Sequence, residues 1–359
     1  MKTDARNNNF DLLRLLGAVM VLWGHTFVLL ALTPNSVLAM SVHTMGVKVF
    51  FVISGYLITK SWISDPHIWR YALRRALRIM PALIGCVLFT ALVIGPIFTS
   101  VSAREYFTDR LFCAYFKNIA FHVNYGLPGM FENNPIPRAV NGSLWTLPAE
   151  MVAYVLCPVL VYISTRVKFG TWLVCLAVLA FVAFDYTARA WPADRISQYI
   201  FYATNWVYAG QLLSYFWIGM IVVLLNLERF FTLRTALVLV VLTALVPLSG
   251  YKVFLPAFVI IPLVTLAFAL SPRLTAFDPL LSRGDISYGL YLYAFPVQQV
   301  VNQIAYPIGL IEHFLISLTL TTLLAILSWK FVESPALKYK PVKSVRAERA
   351  DTARSTKAS

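Results

Sequence analysis

Ten long apolar stretches dominate the chain, near residues 11–32, 44–63, 79–98, 144–165, 171–188, 205–225, 235–249, 253–270, 285–304 and 313–330. A run of about 20 apolar residues is long enough to cross a bilayer as a helix. Charged residues make up only 13% of the sequence, against roughly a quarter in an ordinary soluble domain. Together these facts point to an all-α, polytopic integral membrane protein with about ten transmembrane helices. The first stretch reads as a span and not as a signal core, because Arg14 and His25 interrupt it.

A formal charge of +14 would suit nucleic acid, but its placement follows membrane topology instead. Cytoplasmic segments of membrane proteins carry the Lys/Arg excess. With the N-terminus inside, 21 Lys and Arg fall in or at the edge of inside segments, and 7 in outside loops. Both termini are therefore expected in the cytoplasm, with membrane lipids and no nucleic acid as partners. The expected organisation is a cytoplasmic N-terminus at 1–10, a membrane domain over 11–335, and a basic tail over 336–359. The tail lacks a hydrophobic period and reads as disordered, with a charge suited to anionic lipid. Cys86, Cys113, Cys157 and Cys175 show no close-spaced pair, so neither a zinc site nor a disulfide framework is expected. The five histidines lack ligand-like clustering, and no metal is implied.

Within the first stretch, Arg14 and His25 are eleven residues apart. That is a helical rotation of about 1,100°, within ~20° of three full circles, and a rise of about 16 Å. Both polar heads then lie on one face. Ionisable groups at membrane depth are costly and usually face a bundle interior or a water-filled cavity, so the pair marks a track with Arg14 near one end and His25 inside.

Three further clusters accompany the pair. The second stretch carries Lys48 and then Phe50-Phe51-Val52-Ile53-Ser54-Gly55-Tyr56, where Ser54 and Gly55 permit close helix approach. The basic segment from Lys60 to Arg78, read as an inside loop, places Arg75 and Arg78 three apart on one helix face. Pro81 suits the first turn of the following helix or a kink. Ser143-Leu144-Trp145-Thr146-Leu147-Pro148-Ala149-Glu150 leads into the fourth stretch and puts Glu150 within it. The polar stretch from Thr99 to Asn141 reads as a long outside loop, often functional or a lid at such a length.

In this order, together with Ile286-Ser287-Tyr288-Gly289-Leu290-Tyr291-Leu292 and Val332-Glu333-Ser334-Pro335, these motifs resemble the membrane-bound acyltransferase 3 family. The resemblance runs from Phe10 to about Pro335. It implies an O-acyltransferase of the bacterial inner membrane. Its acyl-coenzyme A co-substrate, often acetyl-coenzyme A, would come from the cytoplasm, and the acceptor would be a hydroxyl, often on a cell-surface or exported glycan. No tightly bound cofactor is implied.

The residues suit that task. Guanidinium forks bind phosphate bidentately, so Arg14, Arg75 and Arg78 are candidates for holding the donor's phosphates. An uncharged imidazole can take the proton of an attacking hydroxyl, which makes His25 the candidate general base. Glu150 could assist His25 or the acceptor, or form a structural ion pair. Lys48, Ser54, Trp145 and Tyr288 are candidate substrate contacts, each with a packing alternative. Lys48 either snorkels outward or acts on His25 through like-charge repulsion. Arg74 reads as a positive-inside anchor.

Two departures from the family pattern bear on function. Many members carry a His after the late Ser-Tyr-x-x-Tyr-Leu run, whereas here Tyr293-Ala294-Phe295-Pro296 follows. His25 is left as the best buried base, with His43, His67, His122 and His313 read as lying in loops or at span ends. The chain also stops soon after its tenth stretch, so the periplasmic domain fused to some relatives is not expected. Either this protein completes transfer itself or it hands the acyl group to a separate periplasmic acyltransferase. A lipid, an antibiotic or a signalling glycan as acceptor stays open, as does a transporter or flippase using the Arg14–His25 track.

Overall fold

A computed structural model describes residues 8–33, 36–37, 40–188, 190–244, 254–272, 274–277 and 284–341. Expectations for residues 1–7 and for the tail from 342 to 359 lie outside these described residues. Helices dominate the described residues, and the strands among them are two-residue antiparallel hairpins pairing Ser36–Val37 with Met40–Ser41 and Ile200–Phe201 with Thr204–Asn205, with a further bridge between Thr99 and Met130. The principal helices are α1 (Phe10–Leu29), α2 (Val42–Ser64), α3 (Ile68–Phe89), α4 (Thr146–Arg166), α5 (Gly170–Ala188), α6 (Trp206–Leu224), α7 (Leu233–Ala244), α8 (Phe254–Leu270), α9 (Ser287–Ala305) and α10 (Leu310–Ser328). Two of them run on through π-helical turns. α3 continues through Thr90–Ile94 to Phe98, and α10 through Trp329–Glu333 to Leu337. Ala336 and Leu337, assigned to the tail from sequence, thus end a helical turn.

Among the described residues, seven helices are long and apolar enough to cross a membrane: α1, α2, α3 with its extension, α4, α5, α6, and α10 with its extension. α7 and α8 are apolar but shorter, and α9 carries Gln298, Gln299 and Asn302. One boundary differs from the sequence reading. The basic segment before residue 79 is not a loop, because α3 begins at Ile68. Its Ala-, Leu- and Arg-rich composition favours helix, and nothing between Ile68 and Phe89 other than Pro81 interrupts the backbone ladder. Pro81 therefore sits well inside the helix and not in its first turn.

α2 is the central helix, packed between α1 and α6. Membrane helices associate through close packing, and small residues let backbones approach. The α2–α6 crossing uses two glycines reciprocally. A Cβ on Gly55 would strike the Phe216 carbonyl, lying 2.8 Å from its carbon, and a Cβ on Gly219 would strike the Val52 carbonyl and lie 3.0 Å from Tyr56 N. Val52, Ile53, Phe216 and Met220 around this crossing are buried. The long segment after α3 folds into short helices at Ala103–Thr108 and Arg110–Tyr115 and a 3₁₀ turn at Phe116–Ala120. Gln299 of α9 ties its later part down by donating to the Ile136 and Ala139 carbonyls at 2.8 and 2.7 Å, while Asn134 donates back to the Gln299 carbonyl at 2.9 Å.

A candidate acyl-transfer site between α1, α2, α3, α4 and α9

Five helices turn one face each toward a common cavity. α1 contributes Arg14, three residues after Asp11, with which it pairs at 2.8 Å. α2 contributes Val47, Phe50, Phe51, Ser54, Leu57 and Ile58, whose i, i+3/i+4, i+7 spacing is one helix face. α3 contributes Arg75, Arg78 and Ile79. α4 contributes Thr146, Glu150 and Tyr154 at successive i+4 steps. Its start is set by Asn141, whose Oδ1 accepts the Ser143 N–H at 3.0 Å and whose amide donates to the Leu292 carbonyl at 3.0 Å. α9 contributes Ser287, Tyr288 and Tyr291. Tyr291 is fastened to α4 by donating to the Ser143 carbonyl at 2.8 Å and bonding the Thr146 hydroxyl at 2.6 Å.

The inner cavity holds about 100 Å³, and Arg14, Leu57, Arg75 and Arg78 also line a wider mouth of about 1110 Å³. These four residues form a neck between the two spaces. The mouth adds Lys60, Arg74 and Lys340 against Asp11, Glu228 and Asp285, so it is net basic.

Asp285, a residue the sequence reading passed over, organises the neck. Its Oδ2 accepts from Arg78 at 2.5 Å and lies 3.4 Å from Arg14, while its Oδ1 accepts the Ser287 N–H at 3.2 Å and the Ser287 hydroxyl. One carboxylate thus fixes two guanidiniums from helices far apart in sequence and caps the start of α9. Arg75 is placed differently. Its Nε is buried without a hydrogen-bond partner, and no carboxylate oxygen among the described residues lies within ion-pair distance of it. Its guanidinium stands 6.0 Å from the Tyr154 ring, as that of Arg78 does from Tyr288. The Tyr288 hydroxyl is likewise buried and unpartnered. Buried polar groups are nearly always hydrogen-bonded, so orphaned donors at a cavity wall mark where a polar ligand or water completes the site.

Glu150 accepts a hydrogen bond from the Tyr154 hydroxyl and lies in the field of Arg78, Arg75 and Arg14. No described contact joins it to His25. The Glu150–Tyr154 pair was open to sequence reasoning through its i+4 spacing, but nothing in the local sequence marked Asp285 beyond an acidic residue just before a helix.

His25 stands apart from the cavity lining. Its ring packs edge-on against Phe295 at 5.3 Å, its Nδ1 is buried and unpartnered, and its nearest ionisable neighbour is His43, with ring centroids 5.2 Å apart. His43 lies at the end of a span, as expected, being the second residue of α2, and its Nδ1 is buried. His313 is also in a helix, fully buried on α10. Lys48 does not snorkel. It is 1% exposed, reaching the Met40 sulfur at 2.7 Å and lying 4.9 Å from the Tyr215 ring. That places it outside the cavity lining. Ser54 and Tyr288 line the cavity, whereas Trp145 packs half-buried against the core just before α4. Arg74 is held by an ion pair. With Arg70, which donates at 2.9 and 2.5 Å, it clamps Asp65 in the turn between α2 and α3. The bonds from Arg70, opposed by burial and joined by those from Arg74, hold the Asp65 carboxyl down at about 2.

Comparison with known proteins adds a family to this geometry. A family model described as an acyltransferase domain matches residues 7–330. The chain is 30% identical over 335 residues to an O-acetyl transferase of Shigella phage Sf6, covering 91% of this chain and 95% of that protein. It is 27% identical to Nodulation protein 10 of Rhizobium leguminosarum bv. viciae, covering 94% and 95% of the two chains. It is 26% identical to the O-acetyltransferase OatA of Staphylococcus aureus, covering 82% of this chain and 52% of that longer protein. No solved structure matches the chain.

Proposed function

The chain belongs to the acyltransferase 3 family and is a multi-pass membrane acyltransferase, and we propose that it moves an acetyl group from acetyl-coenzyme A to a hydroxyl of a cell-surface or exported glycan at the bacterial inner membrane. The observation that carries this reading is the neck. Arg14, Arg75 and Arg78, from two helices, meet where a wide basic mouth narrows into an inner cavity lined by Glu150, Tyr154, Tyr288 and Tyr291. A donor with a phosphorylated head and a thin thioester arm has the shape and charge for such a space. The head would sit in the mouth against guanidinium forks, and the arm would pass the neck inward. Two of the relatives are named for O-acetyl transfer, which favours acetyl over longer chains.

In this reading the membrane is crossed ten times with both termini in the cytoplasm, as the Lys/Arg distribution favours, and the arginine neck opens on the donor side. His25, one helix face along from Arg14, takes the proton of the acceptor hydroxyl as its oxygen attacks the thioester carbonyl. The C–S bond breaks, and the proton ends on the departing thiolate. Glu150, held by Tyr154, sets the charge of the inner cavity beside the arginines. The test is transfer of labelled acetyl from acetyl-coenzyme A to envelope glycan in inverted membrane vesicles, comparing wild type with His25→Ala. Transfer only by wild type, with both proteins folded and inserted, supports the reading; undiminished transfer by the variant sinks His25 as base.

A further inference from the structure

The closest ionisable neighbour of the proposed base is a second imidazole that no sequence motif marked. Three features put it there. Gly24, immediately before His25, has no side chain, and a Cβ at that position would lie 2.7 Å from His43 Cβ and 3.0 Å from His43 Cα. The start of α2 therefore seats directly against α1 at this level. Ser41 then fixes the His43 ring, its hydroxyl lying 3.1 Å from Nε2 and 2.8 Å from the Thr44 hydroxyl. Finally, the rings of His25 and His43 lie 5.2 Å apart at a tilt of 36°, each with a buried Nδ1 that has no partner. The other described ring contact of His25 is apolar. On α9 it meets Phe295; Lys48, further along α2, is turned to Met40 and Tyr215; and His313 of α10 bonds the Gln298 carbonyl at 3.2 Å.

We infer that His25 and His43 work as one proton-sharing pair, His43 positioning His25 and taking up the proton that His25 removes from the acceptor hydroxyl. The inference rests on His25 being the base proposed above. The two rings share no direct hydrogen bond, and their separation is one that a single water spans. The balance is simple. The acceptor oxygen bonds the acyl carbon, the carbon–sulfur bond breaks, and the hydroxyl proton passes to His25, is shared with His43, and protonates the thiolate. Both rings must be neutral for the pair to accept that proton, and two interacting sites titrate as a unit.

The experiment is the pH dependence of kcat/KM for labelled acetyl transfer from acetyl-coenzyme A to native glycan. Inverted vesicles would carry the full chain as wild type, His25→Ala, His43→Gln or Ser41→Ala. The pair requires that the acidic limb of wild type, set by the first proton the pair binds, move in His43→Gln, with a loss of about tenfold or more in rate. A structural role alone would lower the rate and leave the limb where it is. Ser41→Ala, which removes only the hydroxyl holding His43, is expected to shift the limb, and it decides the matter if His43→Gln fails to insert. An unchanged limb in His43→Gln with an inactive His25→Ala overturns the pair and leaves the base; so does an unchanged limb in Ser41→Ala. Activity surviving in His25→Ala overturns the base reading and the pair with it.

Discussion

Gly55→Ala should loosen the crossing on which the cavity depends, by an amount that follows from two opposing terms. The new Cβ would meet the Phe216 carbonyl, with the carbonyl carbon at 2.8 Å and Cα at 3.0 Å. Carbon atoms prefer separations of about 3.5–4.0 Å, and the carbonyl oxygen lies closer than its carbon, so α2 and α6 must part by roughly 1 Å or more. The obstacle is backbone and cannot swing aside as a flexible side chain would, which places the overpacking near the upper end of the usual range, about 3 kcal/mol. Alanine's better helix propensity returns about 1 kcal/mol. The net loss is about 2 kcal/mol, roughly a 30-fold fall in the folded-to-unfolded ratio. Gly219→Ala meets the Val52 carbonyl at the same crossing and should cost a similar amount. Because the first substitution already separates the helices, the double variant should lose about 1 kcal/mol less than the sum. Reversible unfolding in mixed detergent micelles, run as a double-mutant cycle, measures both quantities. A neutral or stabilising Gly55→Ala, or strictly additive effects, would refute the reasoning. Ser54 adjoins this crossing and lines the cavity, so acetyl transfer should fall along with stability.

Two further outcomes are expected. Arg75→Lys keeps the charge but loses the planar fork, and should raise the KM for acetyl-coenzyme A by about 10-fold or more, the worth of one charge-assisted hydrogen bond, with little change in kcat; an unaltered KM would remove Arg75 from the donor site. Asp65 has a folded pKa of about 2 against an ordinary 3.8, so its stabilising contribution is complete above that ordinary value and is lost as pH falls through about 2. Thermal unfolding in detergent across pH 5 to about 2 should show this loss in wild type and its absence in Asp65→Asn, and parallel curves for the two proteins would contradict it.

Much of the site was legible in the sequence because its parts are local. Arg75 and Arg78 share a face of α3 by spacing alone, Glu150 and Tyr154 by theirs, and Arg14 sits one turn into α1 beside Asp11. The resemblance to a known family then gave these groups a common purpose. Asp285 was not legible, because its partners Arg14 and Arg78 lie 271 and 207 residues away and no periodicity connects them. The burial of Lys48 was not legible for a related reason. Its burial depends on Tyr215 of α6 and on Met40, and neighbouring sequence says nothing about which helix covers a given face.

Apolar length, basic segments and i+4 spacing are properties of one segment at a time, and they were enough to specify a helical membrane protein with an arginine-rich entrance and a buried imidazole. The meeting of α2 with α6 at Gly55 and Gly219, the bridging of two arginines by one carboxylate, and the seating of His43 against His25 across Gly24 are contacts between distant segments. Only close packing of the whole bundle decides them, because they exist where a missing side chain on one helix lets the backbone of another come near.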